Sequence, residues 1–293
     1  MIVHTWEAAR PSLEQGLEEA KGALLKCSVE PGPNRDRAWK LLMIFDRLMY
    51  ARLPAKQRSE DDSATQFRKR AVIERLRLFW RGDWSGLWDE AHITCRTRPT
   101  DDPPEDENLK RLVARIEALG AANEWGKGLK AATGSNILVT SPDELDNLRD
   151  KFPAEAIRRP TLRTAAPDAH AEFWCKVARQ VQRDCKRLPR KAGPSLDGSR
   201  FEHWASTSAD SEYAKHLGAV AVQFASGQAP EFVYRCARSG RLLALRKSDG
   251  GLRPLVITSA LRRISLKAVV TVLTPDAVEY VGEEQYAIGR PGG

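Results

Sequence analysis

Two cations flank a short turn in the stretch "LLALRKSDGGLRPLVITSALRRISLKAVV", residues 242–270. Lys247 precedes the turn and Arg253 follows it, across "SDGGL". A chain that reverses between them brings both side chains to one anion. Arginine adds a planar fork that can grip phosphate oxygens in pairs, and lysine adds a point charge. Arg246, Arg262, Arg263 and Lys267 extend the series as candidate contacts to a nucleic-acid backbone. The chemistry these residues offer is the binding of phosphate. A second reading of the same residues is a solvated hairpin whose Lys and Arg guard an open strand edge. No catalytic constellation accompanies them. The five histidines (His4, His92, His170, His203, His216) and five cysteines (Cys27, Cys95, Cys175, Cys185, Cys236) are widely scattered. His92 and Cys95 lie three apart, but no second pair completes a zinc site. Free thiols in a reducing compartment are the expectation.

The charge distribution points the same way. The 293-residue chain has a formal net charge of +8. Between Cys236 and Lys267 there are eight basic residues against one acid, Asp249, so nearly all of the excess lies on one segment. Such a segment suits an anionic partner: the backbone of RNA or DNA, or a nucleotide triphosphate. A membrane role is not expected, because no apolar run approaches the ~20 residues of a spanning helix. The first residues lack the basic start and apolar core of a secretory signal, so an intracellular protein is expected.

The elements that must position these cations follow from periodicity. "RLLALRK" reads as a strand, Asp-Gly as the hairpin turn and "LRPLVI" as the return strand. Pro254 cannot donate to a ladder, so the return strand has an edge or end there. Thr258 or Ser259 caps a helix that runs to about Leu273 and stops at Pro275. Leu261, Ile264, Ala268 and Val272 form its packed side. Upstream, residues 36–53 predict a helix with Trp39, Leu42, Met43 and Leu48 inward, ended by Pro54. Residues 63–80 predict another, with Phe67, Val72, Leu76 and Phe79 inward. The turn "RGDWSGLW" follows, and its two tryptophans, Trp84 and Trp88, read as core anchors. A helix over 107–119 follows an acidic, proline-rich break, and Ser141, Pro142 and Glu144 form a capping box. Residues 158–170 mark a boundary between halves. A helix over 169–188 buries Phe173, Val177, Val181 and Leu188. The basic residues at its end (Arg183, Lys186, Arg187, Arg190, Lys191) either complement the helix dipole or touch phosphates. Residues 192–204 form a loop, and 209–226 form a helix closed by Gly227. The expected fold is mainly α with a small β-hairpin: a helical region over 1–160, then a partial α+β region over 161–293.

The hairpin "K-x-DGG-x-RP" followed by "LRR…K" resembles the fingers region of reverse transcriptases from non-LTR retrotransposons. "QYAIGRPGG" resembles the "Y-G-x-G-x-PGG" stretch before the first catalytic motif of those enzymes. "AGPSLDGSRFEHW" resembles their upstream "GPDG…E-H" loop, with two extra residues, Ser195 and Leu196. The similarity spans roughly 67–293, strong over 192–293 and weak over "RLRLFWRGDWSGLWDEA" and "ALGAANEWGKGLKAATGSNILVTSPDELDNLRDKFP". The resemblance implies partial fingers and palm of an RNA-directed DNA polymerase. It implies that Lys247 and Arg253 meet the triphosphate of an incoming deoxynucleotide. It further implies contact of the remaining basic residues with RNA or DNA, and a nuclear location. Complete members hold magnesium with carboxylates on later motifs, including a "Y-x-DD" turn. Here "DD" occurs only at 61–62 and 101–102, without a preceding tyrosine, and the sequence closes at Gly293 on the "PGG". The expectation is therefore an N-terminal fragment that binds nucleic acid or nucleotide phosphates and is catalytically inactive alone, with no cofactor of its own. The alternative is a helical nucleic-acid-binding or protein-interaction module with no polymerase role.

Overall fold

The computed structural model describes residues 12–51, 63–96, 105–121, 129, 146, 170–189, 192–206, 208–246 and 251–281. Its helices are α1 (Leu13–Val29), α2 (Arg35–Met49), α3 (Ala64–Arg81), α4 (Trp84–Arg96), α5 (Glu105–Ala121), α6 (Ala171–Asp184), α7 (Glu212–Ala225) and α8 (Glu231–Arg238). Strands β1 (Arg241–Arg246) and β2 (Leu252–Ile257) follow, then helix α9 (Ala260–Val281). The architecture is mainly helical with one two-stranded antiparallel sheet.

Helix α1 lies in the helical region expected over 1–160, although periodicity singles out no helix there. Its start is fixed by a capping box: Ser12 Oγ accepts from the Gln15 N–H at 3.2 Å, and Gln15 Oε1 accepts from the Ser12 N–H at 3.0 Å. Helix α2 buries Trp39, Leu42, Phe45, Leu48 and Met49, with Met43 half-buried. It ends at Met49, before the proline that sequence reading makes its stop, and Pro54 lies outside the described residues. Helix α3 ends on Gly82 at φ 74°, a left-handed position that favours glycine.

Helix α7 is the hub. It packs on α1, α6 and α9, and α9 also packs on α6. Tyr213, Leu217, Val220 and Phe224, the inward set expected from periodicity, are buried there. Gly218 allows the α6–α7 approach, because a Cβ at that position would sit 2.9 Å from the carbonyl oxygen of Ala178. One apolar cluster joins α1 and α2 (Leu25, Trp39, Phe45) to α6, α7 and α9 (Val177, Leu217, Ile264). Polar staples reinforce it. Arg35 Nη2 donates to the Gln228 carbonyl at 2.8 Å, and Gln223 Nε2 donates to the Val29 carbonyl at 3.2 Å. Residues from both sides of the expected boundary thus share one core, while most of the boundary segment itself lies outside the described residues.

Two expectations need correction. Trp84 and Trp88 are not core anchors: they are 38% and 47% exposed. Asp83 Oδ1 accepts from the Gly86 N–H at 3.0 Å, and α4 starts there and carries both rings along its surface. Trp84 meets the core edge-on at Phe79, with 5.1 Å between ring centroids. Helix α9 does not stop at Pro275 but continues to Val281. Pro275 is exposed, so its ring costs one intrahelical bond on the outer face. The capping box at Ser141 falls outside the described residues.

Candidate functional site

The basic segment is built on the hairpin. The strands pair antiparallel from Arg241↔Ile257 to Arg246↔Leu252, with Leu245 opposite Arg253. The turn residues 247–250 lie outside the described residues, and with them Lys247. Arg246 closes β1, and its side chain is likewise outside them. Arg253 is exposed on β2, one position from the turn-proximal end of the ladder. Leu242, Leu255 and Val256 are also exposed, Ala244 in mid-strand is buried, and Arg241 and Ile257 close the base. There Gly193 of the 192–204 loop lets the Ile257 side chain approach: a Cβ on Gly193 would fall 2.8 Å from Ile257 Cδ1.

Helix α9 starts as expected, with Ser259 Oγ accepting from the Arg262 N–H at 3.2 Å. Its three cations have different surroundings. Arg262 Nη1 donates to the Ala237 carbonyl at 3.3 Å and so helps close α8. The Arg263 guanidinium lies over the Phe201 ring, 4.3 Å from its centroid. Its Nε and Nη2 are buried, with no hydrogen-bond partner among the described residues. Burial holds its pKa below the usual arginine value, with Asp197 opposing. Lys267 is exposed and sits 3.7 Å from Asp184 Oδ2 on α6. The expected cations are therefore distributed between the solvent (Arg253, Lys267) and the packed base of the site (Arg262, Arg263).

That base is the 192–204 loop, and a buried charge cluster fixes it to α1 and α2. Lys21 of α1 and Asp46 of α2 are 2% and 3% exposed and form an ion pair at 2.6 Å. Lys21 Nζ also donates to the His203 carbonyl at 2.8 Å and lies 3.8 Å above the Trp204 ring. The other Asp46 oxygen accepts from Ser199 Oγ, which in turn accepts from Trp204 Nε1 at 2.7 Å. His203 Nδ1 lies 3.7 Å from Asp46, and its ring stacks on Tyr50 at 3.9 Å. Burial would raise the Asp46 pKa, but Lys21 and His203 outweigh it and hold the carboxyl below its usual range. Burial pulls Lys21 down, and Asp46 resists. The inserted residues of the loop make a compact turn. The Ser195 N–H and Oγ both donate to the Ser199 carbonyl, at 2.9 and 2.8 Å, around Gly198 at φ 79°. Leu196 projects outward, 59% exposed.

Sequence reading misses this cluster. Lys21 lies in "LEEAKGALLK", and no local signal marks it as buried or Asp46 as its partner. A second buried cation is missed in the same way. Arg75 of α3, 1% exposed, donates to the Met49 and Ala51 carbonyls at 3.0 and 2.8 Å and pairs with Glu90 at 3.0 Å.

The geometry offers a solvent-facing cationic hairpin on a rigid polar base. Among the described residues no group of three His, Cys, Asp or Glu side chains could hold a metal ion, and no helix is long and apolar enough to cross a membrane. No protein-family model, curated protein or solved structure matches the chain.

Proposed function

We propose that this chain is a fingers-like part of a non-LTR retrotransposon reverse transcriptase, and that it binds nucleic acid or nucleotide phosphates through the β1–β2 hairpin. The observation that carries the reading is Arg253. It stands exposed beside the turn of an antiparallel hairpin, with no ion pair among the described residues, in the sequence context that resembles a fingers region. The anchored 192–204 loop supports it, because the second segment carrying the resemblance is the one that packs under the hairpin. Phosphate affinity comes from the cations. Arg253 and Lys247 take the triphosphate or terminal phosphates, and Lys267 and Arg246 extend the contact along a backbone. Arg262 and Arg263 set the base and lie next to the same path.

Fluorescence anisotropy with a labelled single-stranded RNA tests the reading. Affinity should fall steeply with salt, each phosphate contact adding roughly −0.7 to the log–log slope. Arg253→Gln should reduce that slope by about one contact. Salt-independent binding, or no binding at low salt, would remove the proposal.

A further inference from the structure

We infer a second phosphate-binding surface, the groove between α6 and the Ala209–Asp210 turn, with the backbone of a nucleic-acid strand as its occupant. The inference rests on the nucleic-acid reading above but not on the hairpin. The groove encloses about 470 Å³ and is lined by Lys176, Arg179, Gln182, Arg183, Ala209 and Asp210. Its three cations are all exposed and recur along one side of α6.

Two structural explanations for these cations fall short. Stabilisation of the helix dipole acts within the last turn. It covers Arg183, the only basic residue of α6 in that turn, and leaves Lys176 and Arg179 unexplained. Ion pairing is also insufficient. Lys176 holds Glu172 at 2.9 Å, but the two side chains are 60% and 85% exposed, and such pairs are worth little and exchange freely. Arg183 Nη2 donates only to neutral Gln180, at 2.7 Å, and Arg179 has no ion pair among the described residues. Asp210 is the one acid lining the groove, and three cations outnumber it.

The spacing suits a polyanion. Lys176 and Arg183 are seven positions apart on the helix, about 10 Å at 1.5 Å rise per residue, so they can meet separate phosphates of one strand. The strip then continues. Lys186 and Arg187 are exposed just beyond α6, and Asp184 brings Lys267 of α9 to 3.7 Å. Lys267 thereby lies beside the end of α6, where α9 packs on that helix.

The test uses the full chain and a short labelled single-stranded RNA in anisotropy, at about 50 to 200 mM salt. The combined Lys176→Gln, Arg179→Gln, Arg183→Gln variant should bind roughly tenfold more weakly, with a log–log slope shallower by about 2. Arg179→Gln alone should flatten the slope by about 0.7. All three side chains are exposed, so an unchanged melting temperature certifies the fold. If the combined variant binds like the unmodified chain while Arg253→Gln weakens binding, the groove is overturned and the hairpin reading survives. If the unmodified chain does not bind, both readings fall. If poly-glutamate of matched charge competes as well as RNA, and the combined variant abolishes that competition, the groove is a site for an acidic polypeptide and the nucleic-acid assignment is overturned.

Discussion

The 192–204 loop and the β1–β2 hairpin touch through Gly193 and Ile257, yet they use charge in opposite ways. In the loop region the charges of Lys21 and Asp46 are buried, and their neighbours, Ser199, His203 and Trp204, supply hydrogen bonds, a carbonyl and an aromatic face. Burying an ion is expensive, and the cost is met only when partners surround it. On the hairpin, Arg253 is exposed and unpaired among the described residues, which costs little and leaves it open to a ligand. The comparison separates two uses of charge: the buried cluster holds the base, and the exposed cations above it are solvated.

The largest expected effect is on the buried side. Asp46→Ala leaves Lys21 without its counter-charge, and urea unfolding should show a loss of about 3–5 kcal/mol. A double replacement of Lys21 and Asp46 by Met and Leu should recover most of that loss. A chain as stable without Asp46 as with it would mean that the ion pair does not anchor the loop.

Acid should expose the same pair. The Asp46 carboxyl titrates lower in the folded than in the unfolded chain, so its contribution is complete above the ordinary carboxylate value, near 3.9. The contribution is lost as pH falls through the folded value. The stability gap between the unmodified chain and Asp46→Asn should be constant at neutral pH and close below about pH 4. A gap that persists unchanged at lower pH would contradict the depressed carboxyl.

Ser199→Ala should be milder, because it removes a hydroxyl that bridges Asp46 and Trp204 Nε1 without removing a charge. About 1–3 kcal/mol is expected in denaturant unfolding. The smallest stability effect should come from Arg253→Gln, within about 0.5 kcal/mol, although RNA affinity should weaken and its salt slope flatten. A destabilisation by Arg253→Gln as large as that of Ser199→Ala would erase the contrast between the two regions.

Much of the helical frame is legible in the sequence because a buried stripe repeats with the helical period. Tyr213, Leu217, Val220 and Phe224 on α7, and Trp39, Leu42 and Leu48 on α2, are of this kind. The hairpin is legible from its Asp-Gly signal and alternating flanks, and β2 matches the expected "LRPLVI". The failures have equally local causes. Trp84 and Trp88 are large and apolar, but size does not say which way a surface helix faces. Helix α8 has only eight residues, too short for a period to stand out. Pro275 predicts a helix end, yet one missing bond on an exposed face does not end α9.

Composition and pattern by themselves determine that this chain is largely helical and that its excess positive charge lies near one hairpin. They cannot determine which cations are available to a ligand. Lys21, Arg75, Arg253 and Arg263 carry the same charge in the sequence. Only packing separates a lysine closed in by Asp46 and Trp204, an arginine donating to helix-end carbonyls, an arginine stacked on Phe201 and an arginine in solvent. Solvation and partners from distant segments decide that role, and both arise only when α1, α2 and the 192–204 loop close around the same core.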